Sequence, residues 1–470
     1  MKTRMIFMGS PASRLLQGVM LLCAALSALR ADVSELWAER LKTVVAVEHY
    51  VETETERRPT VSYGTVIDEN GTIVLPSIAV NPRATPSQLK DFKVYRAGSA
   101  ESVAGEYLGQ DALSGWHFVR AAEGIRGDLT PITKFVGEAR EPRMGEEIWG
   151  IGLRNKDEDF TAYWMSGRVS LVQALPQRTA VALDEVTGPG LPAFDAEGKF
   201  MGLGLTGFGE SFLQFSTSDR GGLPVVMMNV EESAALLTTP EVLPQLGRVP
   251  QNVFGRPLAW LGAYGLEPVD PEVARFLKLG SQSAVVFSEV VEGGPAARGG
   301  LKEGDVLLAI DGEALPRFRP DRAVSQFVGR EIVRRKPGDE IKLTVLRNGE
   351  RQELTVALGD QPKLFSEAER KYFERIGFTA REFVHDDAVA RRVNPEGATG
   401  VVAHFVKPNG PASTAGLRTD DWIREIDGVG VQSFADAVTR LTDIEEDATR
   451  AECVLLVTRS GETAVLRIRL

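Results

Sequence analysis

The chain has 470 residues, 43% of them hydrophobic and 25% charged, with a formal net charge of −11 at pH 7. That length suffices for about three domains with real cores, and the acidic balance argues against nucleic acid or an anionic membrane surface as a partner. Two cysteines, Cys23 and Cys453, are too few for a disulfide framework or a cysteine metal site, and no cofactor is expected.

Lys2, Arg4 and Arg14 precede an apolar run from Leu15 to Leu29, and Ala31 before Asp32 is a plausible cleavage point. Residues 1–31 therefore read as a secretory signal peptide, so the chain is expected to be exported. An uncleaved anchor competes with this, but the run is shorter than the ~20 residues a bilayer needs. A lipoprotein tethered through Cys23 competes too, but Leu22 stands where such a signal wants a small residue.

After a short helix around Ser34–Leu41, residues 43 to about 246 read as short strands punctuated by glycine. Thr43 to Val47 opens the series. Thr65-Val66-Ile67, the turn Asp68-Glu69-Asn70-Gly71 and Thr72 to Leu75 form a hairpin signal. Further strands are predicted at 92–95, 116–119, 147–151, 167–170 and 199–205. Many short strands with turn residues between them imply an all-β barrel or sandwich. The series ends near Pro224 to Val230, followed by a predicted helix over Glu231 to Leu237. Thr239-Pro240, Pro244 and Pro250 then read as a linker.

Several stretches in this region resemble the trypsin-like HtrA/Deg proteases. Asp184 to Leu203 is similar to that family's nucleophile loop, G-N-S-G-G-P-L followed by G, two apolar residues and G, with Gly190, Pro192, Gly198 and Gly202 in register. Gly64 to Val80 resembles the segment around the family's catalytic histidine. Gly109 to Val119 resembles the segment around its catalytic aspartate, with Asp111 in register, and Gly145 to Gly152 resembles a following strand. The resemblance implies a chymotrypsin-like double β-barrel. It also puts Ile78, Gly115 and Pro189 on the three triad positions, where a hydroxyl, an imidazole and a carboxylate are needed. Pro189 lacks the backbone N–H that the nucleophile's residue contributes to the oxyanion site. The histidines are His49, His117, His385 and His404; His117 reads as an ordinary strand residue. Ser211, Ser216 and Ser218 stand in no nucleophile motif.

The remainder holds an internal repeat. Gly294-Pro295-Ala296 through Leu301, Asp305, Ile310-Asp311-Gly312 recurs 116 residues later as Gly410-Pro411-Ala412 through Leu417, Asp421, Ile426-Asp427-Gly428. The signature resembles the PDZ domain, so two tandem modules are expected rather than a solenoid. That resemblance implies capture of a partner's C-terminal tail as an added strand, with an apolar-Gly-apolar loop offering N–H groups to the terminal carboxylate. Leu261-Gly262-Ala263 supplies the loop in the first module, and Ile376-Gly377-Phe378 supplies it in the second. The facing helices are predicted over Ala323–Val333, with Val324, Phe327 and Val328 lining the groove, and over Ala435–Leu441. Phe378 gives a deeper pocket than Ala263, which favours the second copy as binder.

Together these readings predict a mainly β chain: a signal peptide (1–31), a trypsin-like domain (32–245) and PDZ domains at 250–362 and 366–470. The expected function is an exported, periplasmic, catalytically inactive HtrA-like protein binding C-terminal tails or unfolded segments, forming a homo-oligomer, a trimer by family resemblance. The alternative is an active HtrA-type serine endopeptidase of periplasmic protein quality control whose triad lies in another register. No nucleic acid, metal or membrane span after signal cleavage is expected.

Overall fold

The computed structural model describes residues 33–470 except 83, 175–176, 183–185, 206–211, 216–223, 228–233, 319–322 and 396. The predicted signal peptide with Cys23 lies outside the described residues, as do Ser211, Ser216 and Ser218. Helix α1 (Val33–Leu41) leads into β1 (Val44–Glu52), β2 (Arg57–Val66), β3 (Thr72–Leu75), β4 (Leu89–Arg96), β5 (Ser102–Gln110) and β6 (His117–Ala121). These six close into a barrel in the order β1-β2-β3-β6-β5-β4. The β2–β3 turn forms because Asp68 Oδ1 accepts the N–H groups of Asn70 (2.9 Å) and Thr72 (3.0 Å), while Gly71 takes a positive φ of 71°. Val45, Val47, Ile73, Leu75, Val94 and Val119 fill the interior.

After the short helix α2 (Glu123–Arg126), a second closed barrel runs β10-β11-β14-β9-β8-β7. Its strands are β7 (Glu147–Leu153), β8 (Ala162–Gln173), β9 (Thr179–Ala182), β10 (Pro192–Asp195), β11 (Phe200–Gly204) and β14 (Ala234–Thr238). A separate hairpin of β12 (Phe212–Phe215) and β13 (Pro224–Met227) stands between β11 and β14. The helix predicted over Glu231 to Leu237 is corrected by β14 from Ala234 on, and residues 231–233 lie outside the described residues. The apolar stretch Ala234-Ala235-Leu236-Leu237 is too short for periodicity to tell helix from strand. Leu236 pairs with both Gly204 and Ala180, closing the barrel. The predicted linker likewise starts as helix α3 (Thr239–Leu246), with Pro240 in its first turn, where a missing N–H costs nothing, and Val242 and Leu246 buried. Trp116, Phe118, Phe160, Leu191, Phe194 and Leu203 form one core shared by both barrels.

The first C-terminal module contains β15 (Ala259–Trp260), β16 (Ala263–Pro268), α4 (Pro271–Phe276), β17 (Val285–Val290), α5 (Pro295–Arg298), β18 (Val306–Ile310), β19 (Glu313–Ala314), α6 (Ala323–Val333), β20 (Glu340–Arg347), β21 (Glu350–Ala357) and β22 (Gly359–Asp360). The second contains β23 (Arg370–Phe373), β24 (Phe378–Glu382), α7 (His385–Ala390), β25 (Val401–Val406), α8 (Pro411–Thr414), β26 (Trp422–Ile426), β27 (Val429–Gly430), α9 (Phe434–Glu446), β28 (Glu452–Arg459) and β29 (Glu462–Arg469). The main sheets run β16-β17-β18-β20-β21 and β23-β24-β25-β26-β28-β29.

The sequence repeat is a repeat of interactions. Asp305 accepts from Arg347 Nε (2.7 Å) and Nη2 (2.6 Å), and Arg347 Nη2 also donates to the carbonyl of Gly300 (2.7 Å). Asp421 holds Arg459 the same way (2.6 and 2.5 Å), and that arginine donates to the carbonyl of Gly416 (2.9 Å). Both carboxylates are buried, so each signature aspartate is needed to neutralise an arginine that ties a strand to the Gly-Leu turn.

Candidate functional site

The three loops on which the resemblance places the triad positions meet at the junction of the barrels. β3 ends at Leu75, and Pro76 caps a 3-10 turn over Ser77–Ala79 that turns Ala79 inward and leaves Ile78 63% exposed. Gly115, at a φ of 72°, lies beside this turn: a Cβ built on it would stand 3.5 Å from Ser77 Cβ. Gly190, next to Pro189, packs on Pro76 so closely that a Cβ there would lie 2.6 Å from Pro76 Cδ. Its carbonyl accepts from Thr65 Oγ1 at 2.7 Å. The loops that the motif resemblance singled out are therefore neighbours in space.

Their chemistry is set by what stands there. Ile78, Gly115 and Pro189 carry no nucleophile, base or carboxylate. The loop amides are also engaged: Gly190 N–H donates to the carbonyl of Gly204 (2.9 Å) and Leu191 N–H to that of Gly188 (3.1 Å). Thr187 Oγ1 donates to the carbonyl of Leu191 (3.0 Å), and Leu191 is buried in the shared core. Asp111 holds the neighbouring turn, accepting from Ser114 N and Oγ (both 2.8 Å) and from Arg248 Nε (3.0 Å).

One imidazole backs this junction. His117 is buried, with Nε2 3.3 Å from the carbonyl of Ser77 and Nδ1 2.9 Å from the hydroxyl of Tyr107. Burial lowers its pKa to about 4, the Ser77 carbonyl opposing and His49 adding to the shift. Tyr107 stacks on Phe92, which stacks on His49. His49 is pushed down by burial, and neither of its ring nitrogens has a partner among the described residues.

The second candidate site is the loop and edge strand of each module. In the first, Leu261 is buried and its carbonyl accepts from Ala296 N–H (2.8 Å); Gly262, at a φ of 77°, accepts from Val291 N–H (3.0 Å). The N–H groups of Leu261 and Gly262 themselves have no acceptor among the described residues. β16 follows directly and pairs only with β17 among them, so its other edge is open. Helix α6 takes the predicted bounds Ala323–Val333. Val324 and Val328 belong to the buried core, while Ala263, Leu266 and Phe327 are only partly covered.

The second module differs. Gly377 N–H donates to the carbonyl of Phe373 (2.8 Å), Arg375 N–H to Glu445 Oε1 (2.7 Å) and Ile376 N–H to Glu445 Oε2 (3.4 Å). The edge of β24 is covered by β23, and Ile376 and Phe378 are fully buried. The preference for the second copy is thereby corrected: Phe378 is packed against the chain's own Phe373 and offers no open pocket floor. Sequence reasoning missed β23 and Glu445. The alternation Arg370-Lys371-Tyr372-Phe373 just ahead of the loop was the available signal.

Comparison with known proteins agrees with this architecture. Residues 265–358 match the family model of the PDZ domain. A "Probable periplasmic serine endoprotease DegP-like" of Halomonas elongata is 26% identical over 432 residues, covering 88% of this chain and 80% of its own length. The chain is similar to the HtrA/DegP proteases over most of its length. A protein of the same name from Brucella suis is 24% identical over 343 residues, covering 71% of this chain and 61% of its own length. Among solved structures, an HtrA-type protease AlgW with a decapeptide superposes with a TM-score of 0.50 at 18% identity, covering 71% of this chain and all of that one, a likeness of fold.

These relatives correct one expectation. Substitution at positions 78, 115 and 189 led to the reading that the chain is not an enzyme, whereas the curated relatives are named serine endoproteases. The family is one of proteases, and the three substitutions describe three positions. Among the described residues no helix is long and apolar enough to cross a membrane.

Proposed function

We propose that this HtrA-type protein works in periplasmic protein quality control, in the serine endopeptidase class, and takes hold of C-terminal tails or unfolded segments through its first PDZ module. One observation carries the peptide-holding part: the Leu261 and Gly262 amides lack acceptors among the described residues and head the open edge of β16. A tail adding antiparallel to β16 would continue the sheet ladder and bring its carboxylate to those N–H groups. Its last side chains would meet Ala263, Leu266 and Phe327.

The names of the relatives support the endopeptidase class and the periplasmic location. In this reading the hydrolytic groups lie at positions other than 78, 115 and 189. Export through a signal peptide at residues 1–31, assembly as a homo-oligomer and the domain division 32–245, 250–362 and 366–470 belong to the same proposal.

The test is incubation of the intact chain with casein and, separately, with a tagged active-site phosphonate whose attachment point is located by mass spectrometry. Hydrolysis together with a labelled serine is expected and names the nucleophile. Neither hydrolysis nor label would refute the endopeptidase part while leaving peptide capture standing.

A further inference from the structure

Strand β23 has no equivalent in the first module's sheet among the described residues, and it lies where a captured peptide would lie. It runs antiparallel to β24 in the register Arg370↔Arg381, Lys371↔Ala380, Tyr372↔Thr379 and Phe373↔Phe378, on the edge that β25 leaves free. Helix α9 flanks it, with Lys371 Nζ donating to Thr442 Oγ1 at 2.8 Å. Its direction is that of an arriving tail, because its last residue, Phe373, reaches the loop.

Each part of a bound C-terminus has a counterpart in the chain itself. The Phe373 ring is buried against Phe378, 5.9 Å between centroids, as a terminal side chain would be. The Phe373 carbonyl takes the Gly377 N–H. The carboxylate of Glu445, in the last turn of α9, takes the two preceding amides. Arg375 fixes loop to helix end, donating to the carbonyls of Asp447 (2.7 Å) and Arg450 (2.5 Å).

We propose that Arg370–Phe373 is a built-in pseudo-ligand of the second groove, with Glu445 in place of a terminal carboxylate, so that this module admits a peptide only after its own strand is displaced. The proposal rests on reading the modules as peptide-holding. The first barrel touches the strand that β23 pairs with: Glu54, in the β1–β2 turn, accepts from Thr379 Oγ1 of β24 at 2.7 Å, and Thr379 is the residue opposite Tyr372. Separation of that turn from the second module would loosen β23, which couples access at the groove to the barrel. A competing tail needs an aromatic last residue to replace Phe373.

The test uses a photo-crosslinking peptide with a free carboxylate, ending in the sequence Arg-Lys-Tyr-Phe, on the intact chain, with cross-links located by mass spectrometry. The wild type is expected to show only weak labelling at 376–382 and 434–446. Tyr372→Pro removes a strand N–H without emptying the core, and Glu445→Gln removes the charge from the loop. Each should raise labelling at those residues by about tenfold or more, as expected when a closed state is depopulated. Hydrogen exchange supplies a readout independent of peptide: amides 377–382 should be protected in the wild type and exchange faster in Tyr372→Pro. Wild-type labelling at the second module equal to that of the variants would overturn the proposal. Released exchange in Tyr372→Pro without new labelling would overturn it too. If Tyr372→Pro does not fold, Glu445→Gln decides, since that side chain lies outside the buried core. Absence of labelling at the first module bears only on the proposed function and leaves the second-module comparison readable.

Discussion

Alanine at Gly262 and at Gly377 separates a loop that needs glycine for its backbone from one that also needs it for space. Both residues are left-handed, with φ of 77° and 85°, and an L-residue there costs about 1–2 kcal/mol. At Gly377 the nearest heavy atom to an added Cβ is Pro411 Cδ at 3.5 Å, an ordinary contact. At Gly262 it is Pro295 Cδ at 2.9 Å, with Pro295 N at 3.3 Å. Pro295 cannot give way cheaply, because it opens α5 and the next residue, Ala296, is bonded to Leu261. Overpacking adds about 1–3 kcal/mol at that site. Gly262→Ala should therefore cost the first module about 2–5 kcal/mol, and Gly377→Ala should cost the second about 1–2 kcal/mol. The assay is urea-dependent hydrogen exchange, which reads the two modules separately. Equal losses, or a larger loss at 377, would refute the close-approach argument.

The other predictions concern buried polar groups. His117 binds a proton less readily folded than unfolded, so barrel stability should fall as pH drops from about 6.5 to about 4, by up to about 3 kcal/mol. His49 acts in the same direction, and His117→Gln should flatten most of that limb in pH-dependent urea titrations. Asp305→Ala and Asp421→Ala each remove a buried carboxylate from a partly exposed arginine and should cost about 1.5–3 kcal/mol in chemical denaturation, alike in the two modules. Burial raises the Cys453 thiol to about 11, so a disulfide-forming probe at pH 8 should label it only after unfolding.

Local chemistry made much of this fold legible. Asp68 and Gly71 set the β2–β3 turn; the repeated Gly-Pro-Ala signature located both modules. The resemblance to the HtrA/Deg motifs singled out Ile78, Gly115 and Pro189, whose loops come together at one junction. What stayed hidden depends on partners far away in sequence. Ala234 to Thr238 is a strand because β9 and β11 leave a slot for it. Glu445 acts on a loop about seventy residues earlier. Phe378 was read as the better pocket by its size, which says nothing of Phe373 already occupying it. Three side chains likewise decided too much about enzyme class, where the relatives' names point to endoproteases.

The most direct measurement is calorimetric titration of the intact chain with one peptide, ending in an aromatic residue, prepared as the free acid and as the C-terminal amide. Capture at the first module predicts one site per chain, abolished by Gly262→Ala. The amide should bind more weakly by about 1.5–3 kcal/mol, the worth of a charge-assisted hydrogen bond. Equal affinity for acid and amide, or binding untouched by Gly262→Ala, would contradict the account.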